Sequence, residues 1–351
     1  MIDFRYHLVS IVAVFLALAI GIVLGSTELQ GPAYNILNST TGKLQSELGQ
    51  VSSQRDTAQQ QANLGQNYAQ AVEPVVLHDL LAGQRLLIIT EPGAPASVVT
   101  AISNAATQDA GATVTGQIAL QSKFFDNSDT TLDGLNQINQ AMSQADGIVL
   151  NTGTPYQQQA AQVIAGEILT RASGSAAPQL GSTSSTASQQ DTNASTMLAA
   201  YANAGFLTVS GQPATPATLA VIVTPQTAPA DGSTDPLDLL LAPVAEELAA
   251  KSSATVVAGV SANSGPGSPI AVLRASSVAS KVSTVDDADF VAGQSVVIQA
   301  LASLLNGGNP GSYGFANGAS AVAPSPAPTP STSSSPTASA SSTAKTKKPK
   351  T

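Results

Sequence analysis

An unbroken apolar run from Leu8 to Leu24, in which Ser10 is the one polar side chain, limits what this chain can be more than any other feature. At 1.5 Å per residue the run reaches about 26 Å against a hydrocarbon core of about 30 Å, and Gly25 and Ser26 complete a span. The more than 300 residues that follow hold nothing comparable. Arg5 and the terminal amine lie on one side of the run, while the other side offers Glu28 and no Lys or Arg before Lys43. That asymmetry puts the N-terminus in the cytoplasm and the body outside the cell membrane, in a single pass contacting lipid through residues 8–26. The alternative is a cleaved signal peptide, with Val23 and Gly25 as the small residues before the cut. Against it, the run is longer than a signal core of roughly 7 to 15 residues, and Asp3 offsets Arg5 in the flank. Both readings export the body.

The chain has no Cys, which removes disulfides, thiol nucleophiles and thiolate metal sites together. An exported body without disulfides must be stabilised by core burial, and residues 75–318 are long enough for one sizeable domain. Residues 27–318 carry 21 acidic against 8 basic side chains, a net of −13. A surface that acidic repels nucleic acid and anionic lipid.

Gly31-Pro32 and Pro74 predict the start and stop of a long helix over residues 27–74. Its heptad rows read Leu37, Leu44, Val51, Ala58, Gly65, Val72 and Thr41, Leu48, Arg55, Ala62, Ala69, a seam strongest from Leu37 to Val51. A lone helix cannot bury such a stripe on itself. The expectation is a coiled-coil stalk, most simply a homodimer, and the alternative is a helix packed on its own domain.

From Arg85 short apolar runs alternate with helical periodicity, which predicts an α/β body with a mostly parallel sheet. Strands are predicted at Leu86 to Thr90, Val114 to Leu120, Gly147 to Asn151, Phe206 to Ser210, Leu219 to Thr224 and Thr255 to Val260. Helices are predicted at Pro95 to Ala110, Leu132 to Met142, Tyr156 to Arg171, Thr196 to Ala204, Leu237 to Ala250 and Gln294 to Asn306. Residues 172–191, a Ser, Thr, Gln and Ala mixture, predict a flexible insertion. Residues 319–351, rich in Pro, Ser, Thr and Ala and ending in four lysines, predict a disordered tail able to touch anionic polymers.

Catalytic signatures are absent: there is no G-x-S-x-G elbow, no P-loop and no H-E-x-x-H, and an enzyme is not expected. His78 is the body's single imidazole, a weak metal candidate that reads more readily as an exposed linker residue after Pro74. Gly265-Pro266-Gly267 leads into Pro269 rather than a helix start, so it is a poor dinucleotide loop. The densest polar cluster, Ser283 to Asp289, follows a candidate strand and precedes the last helix. Its carboxylates, Asp286, Asp287 and Asp289, are candidate ligands for a hard cation, or else an acidic cap for that helix. Asp126 and Asp129 share that edge of a parallel sheet.

The opening residues 1–10, then Phe15 to Gly21 and Leu24-Gly25, together with Ser283 to Asp289, Gly293, Ala300-Leu301-Ala302 and Gly311-Ser312-Tyr313-Gly314, resemble one pattern over residues 1–315. It is that of the actinobacterial family named for the mycobacterial copper transport protein MctB. The resemblance implies a membrane-associated envelope protein with a role in copper efflux or tolerance, described in that family also at the outer membrane. Copper enters only through the resemblance. Where the family often has a His before the closing Tyr-Gly, this chain has Ser312. Copper sites favour Cys, Met and His, whereas the chain holds no Cys, three Met and two His. The body therefore predicts no tight copper site. A second reading follows from the residues alone: a non-enzymatic interaction module, presented on a stalk to envelope or cell-division machinery.

Overall fold

A computed structural model describes residues 4–171, 185–226 and 236–325, and the chain divides into two units, Met1–Tyr68 and Ala69–Thr351. The described part of the first unit is all helix, part of α1 (Phe4–Leu77), whose last turns belong to the second unit. Its apolar side chains are uncovered: none of the 22 residues Phe4–Gly25 is buried. Leu37, Leu44, Leu48 and Val51 of the heptad seam are likewise exposed.

The helix does not start at Gly31-Pro32 as predicted; the backbone is helical straight through both. An interior Pro costs about 3 kcal/mol, whereas stopping and restarting a helix costs a second nucleation at σ of about 10⁻³, or roughly 4 kcal/mol. Continuing is the cheaper course. The stop also falls later than Pro74, at Leu77, because Leu77 and Leu81 are fully buried in the body and draw the chain inward. Each burial is worth about 2 kcal/mol.

The second unit is a three-layer α/β fold. Its elements are β1 (Arg85–Thr90), α2 (Ala96–Asn104), β2 (Thr113–Leu120), α3 (Asp129–Asp146), α4 (Tyr156–Ile168), α5 (Ser185–Asn203), β3 (Leu207–Gly211) and β4 (Leu219–Val223). They continue with α6 (Pro236–Lys251), β5 (Ala254–Ala258), α7 (Pro269–Ala275), β6 (Ser283–Val285), α8 (Val291–Leu305) and β7 (Ser312–Tyr313). The seven strands lie in the order β3-β2-β1-β4-β5-β6-β7. All neighbours are parallel except β2 and β3. Alternation sorts the side chains between two cores. Leu87, Ile89, Ala220, Ile222 and Val257 pack on α3 to α7. Leu86, Ile88, Leu219, Val221 and Val256 pack on α2, α8 and Leu77 of α1. Strands β4 and β5 are buried along their whole length, which is why they read as continuous apolar runs.

The antiparallel edge depends on two glycines. A Cβ on Gly116 would lie 2.6 Å from the Ser210 carbonyl oxygen, and one on Gly211 would lie 2.9 Å from the Gly116 Cα, so β2 and β3 approach too closely for side chains there.

Several predicted features differ. Gly147 to Asn151 is not a strand. The Gln162 side chain donates to the Val149 carbonyl (2.8 Å) and accepts from the Asn151 amide (3.2 Å), satisfying backbone groups that a sheet would otherwise pair. Of the predicted insertion, residues 172–184 lie outside the described residues, while Ser185 already begins α5. Ala194, Met197, Leu198 and Tyr201, a buried stripe at helical spacing, hold α5 on the core. Pro269 does start a helix: it is the first residue of α7, and Ser268 caps it by accepting from the Ala271 amide at 3.2 Å. The strand expected ahead of the acidic cluster is the cluster's own Ser283–Val285. Of the predicted tail, residues 326–351 lie outside the described residues, but residues 319–325 belong with the body. Ser320 donates its amide to the Ser312 carbonyl at 2.7 Å, and Ala321 bridges to Tyr313.

Candidate functional site

The chain order reverses between β1 and β4, and in open α/β sheets ligands gather outside the C-terminal strand ends near such a reversal. The parallel ladder runs one residue past the strands there. Glu91 donates its amide to the Val223 carbonyl (3.0 Å), Thr224 to Ala258 (3.0 Å), Gly259 to Val285 (2.7 Å) and Asp286 to Tyr313 (3.2 Å). Glu91, Thr224, Gly259 and Asp286 thus form one row along the mouth of the sheet. Glu91, Thr224 and Asp286 are all buried, and the Thr224 hydroxyl has no hydrogen-bond partner among the described residues. Asn263, also buried, donates its amide to the Pro225 carbonyl at 3.1 Å and ties the loop after β5 to the end of β4.

The three aspartates of the cluster are engaged separately. Asp286 forms an ion pair with Arg274 of α7 at 2.8 Å, with both side chains almost wholly buried. Its other oxygen accepts the amides of Phe315 (2.9 Å) and Ala316 (3.2 Å). Arg274 is further held by Thr284 Oγ1 (2.9 Å) and the Tyr313 carbonyl (2.8 Å). This network fastens residues 312–316 to the sheet, and a buried pair satisfied on both sides avoids the penalty of an isolated charge. Asp289 instead clamps the loop after β5, accepting the Ser261 amide (2.8 Å) and hydroxyl (2.5 Å).

Asp287 lies on the opposite face, beneath the first turn of α8. A Cβ on Gly293 would lie 2.8 Å from Asp287 Oδ1, so the helix backbone rests against the carboxyl group. Burial, then the charge of Asp286, pushes the Asp287 carboxyl up to about 6. This is the position of an acid facing a helix N-terminus. Asp126 takes the corresponding place before α3. It accepts the Ser128 amide and hydroxyl and the Thr131 hydroxyl, each at 2.9 Å, and those bonds, the Ser128 amide first, hold its carboxyl below the usual range.

His78 is far more exposed, its ring 3.3 Å from Asp79 on the turn that follows α1. Met197 is fully buried and Met142 packs partly buried against the same core. Among the described residues, no three His, Asp or Glu side chains converge on a point where one ion could sit. The sequence reading missed Glu91 and Arg274. Glu91 was legible as an acid that ends an apolar strand and precedes Pro92-Gly93; Arg274 had no local signal, because its partner lies twelve residues on in a different element.

Comparison with known proteins adds what the geometry lacks. The family described as "Copper transport outer membrane protein, MctB" matches residues 1–324. A protein of Mycobacterium tuberculosis named "Copper transporter MctB" is 32% identical over 325 residues, covering 92% of this chain and 99% of that protein. The protein of the same name in Mycobacterium bovis gives the same figures. That of Mycobacterium leprae is 29% identical over 327 residues, covering 92% and 99%.

Proposed function

This chain belongs to the MctB family of copper transport outer membrane proteins, and on that premise we propose that it serves copper efflux or tolerance as an anchored, non-enzymatic interaction module rather than as the conduit for the metal. The observation that carries this is the first unit, whose span Phe4–Gly25 and heptad residues Leu37, Leu44, Leu48 and Val51 are all uncovered. A stretch of that length and polarity needs lipid, and a seam of that spacing needs a second helix. In this reading the N-terminus is cytoplasmic, residues 27–74 form a homodimeric stalk, and the α/β body stands outside the membrane, meeting an envelope partner.

A conduit role lacks support from the body. One transmembrane helix encloses no pore, and strands β4 and β5 are buried beneath helices on both faces, unlike the lipid-facing strands of a membrane barrel. Two of the three cluster aspartates are spent on internal bonds, which leaves His78 and the Asp287 carboxyl as weak, separate contacts for a metal. Titration of the purified body with Cu(I) and Cu(II) is expected to show only weak, unselective binding. Stoichiometric submicromolar binding lost in His78→Ala refutes that reading. Topology is tested apart from copper: since the chain has no Cys, a cysteine placed at exposed Ser277 gives a single label site. It should react with a membrane-impermeant maleimide in intact cells, and protection until lysis overturns the orientation.

A further inference from the structure

Helices cover the sheet unevenly. On the face packed by α2 and α8, β1, β4 and β5 are sealed, but β2 and β3 extend beyond α2, and Thr208 and Ser210 are left exposed among the described residues. Register fixes which residues line this open strip: Gln117 lies beside Ile88 and opposite Ser210, and Ala119 lies beside Thr90 and opposite Thr208. Between the strip and α2 runs a cleft of about 430 Å³, opening at the C-terminal ends of β1 and β2. That volume falls within the range of about 300 to 1,000 Å³ usual for small-molecule sites, and the position is where α/β folds bind ligands.

The chemistry of the lining is narrow. Beside small apolar residues such as Ala96, Val99 and Ala119, its neutral polar side chains are amides and hydroxyls: Gln117, Gln121, Thr90, Thr100 and Ser122, continued along the strip by Thr208 and Ser210. Among the described residues no Lys, Arg or His lines it. Glu91 is its one acid among the described residues, buried at the end of β1. The amides are positioned but not used up. Gln117 donates to Thr90 Oγ1 at 3.4 Å, and Gln121 to the Ala119 carbonyl at 3.1 Å and Thr208 Oγ1 at 3.4 Å. Neither amide oxygen receives a donor among the described residues. A lining without cations does not hold an anion, and one without a large apolar pocket does not anchor a hydrophobic side chain. Amides that both donate and accept, spaced along a flat strip at strand repeats, match an array of hydroxyls.

We propose that this cleft and strip bind a neutral, hydroxyl-rich ligand, an oligosaccharide of the kind found in cell envelopes. The envelope source rests on the orientation proposed above; the binding chemistry does not. The test is therefore done in vitro, where sidedness is irrelevant. The full chain in nanodiscs of neutral phospholipid is mixed with N-acetylchitotriose, maltotriose or tetra-alanine, and binding is followed by saturation-transfer NMR. Transfer to at least one oligosaccharide and none to tetra-alanine is expected. Replacing Gln117→Leu and Gln121→Leu together should weaken binding about tenfold or more, since each removes hydrogen bonds to the ligand. Thr208→Lys, on an exposed edge strand where the fold tolerates it, should weaken binding as well. Transfer to neither sugar overturns the proposal, as does transfer to tetra-alanine alone, which reassigns the strip to peptide. Sugar binding unchanged in both variants overturns it too.

Discussion

The two units handle the same residue types in opposite ways. In the body, Leu, Ile and Val fill two cores on either side of a sheet, and the buried charge of Asp286 is paired with Arg274, though the Thr224 hydroxyl is not paired among the described residues. In the helical unit, Leu16, Ile20, Leu44 and Leu48 are all more than half exposed. The body therefore carries its own stabilising surroundings, while the helical unit carries the demand for surroundings that must come from elsewhere. The difference separates what a single chain can specify about itself from what it specifies about its company.

The sharpest way to break this contrast is to remove the demand. Leu44→Asp with Leu48→Asp puts two charges into the seam, where each would have to be desolvated against a facing helix. The dissociation constant of the proposed dimer should rise by roughly 100-fold or more, which sedimentation of the chain in detergent reads directly. The melting temperature of the body should stay unchanged. A mass unaffected by the double substitution means that no coiled coil forms and that the stripe is covered in some other way.

The converse experiment tests the self-sufficiency of the body. Arg274→Met leaves Asp286 buried with its backbone donors but without its cation, and stranding one member of a buried pair costs about 3 to 5 kcal/mol. Chemical denaturation should register that loss. Because the network fastens residues 312–316, hydrogen exchange at Phe315 and Ala316 should accelerate along with it. Replacing both partners, Arg274→Met with Asp286→Leu, should recover part of the stability. A single substitution that costs less than about 1 kcal/mol makes the pair incidental to the fold.

The contrast also marks where the sequence could be read. Order and type of the elements from β1 to β5, and α8, followed largely from periodicity, because burial imposes a period of two on strands and 3.6 on helices, whereas the short α7 and β7 were not foreseen. Gly147 to Asn151 misled because Ile148, Val149 and Leu150 look like a buried strand, and only a side chain eleven residues later, Gln162, decides otherwise. The acidic cluster was legible as a cluster, yet not in its roles. Neighbouring residues of a strand face opposite ways, so Asp286 and Asp287 end on different faces, and Arg274 reaches the former only through the fold. The Gln117 and Gln121 strip was unreadable for a related reason: it depends on β3 pairing antiparallel with β2 at the edge, beyond the reach of α2 among the described residues.

The smallest expected effect concerns Asp287, a buried acid that, unlike Asp286, has no cation paired with it among the described residues. This carboxyl is buried under α8 and its pKa is pushed up to about 6 from 3.8, by desolvation first and by Asp286 second. A carboxyl that holds its proton more tightly when folded than when unfolded takes stability away as pH rises between those two values. The cost is absent below about pH 4 and fully present above about pH 6. Facing the start of α8 offsets part of it, since an anion there gains roughly 0.3 to 1 kcal/mol from the helix dipole. Asp287→Asn keeps the shape and removes the charge, so it should stabilise the body by about 1 to 2 kcal/mol at pH 7.5, with the gain shrinking to nothing near pH 4. Thermal melts of the two proteins across that range measure it. If the Asn variant is instead less stable at pH 7.5, the charge of Asp287 is held by its surroundings and the acid serves the body as a true cap.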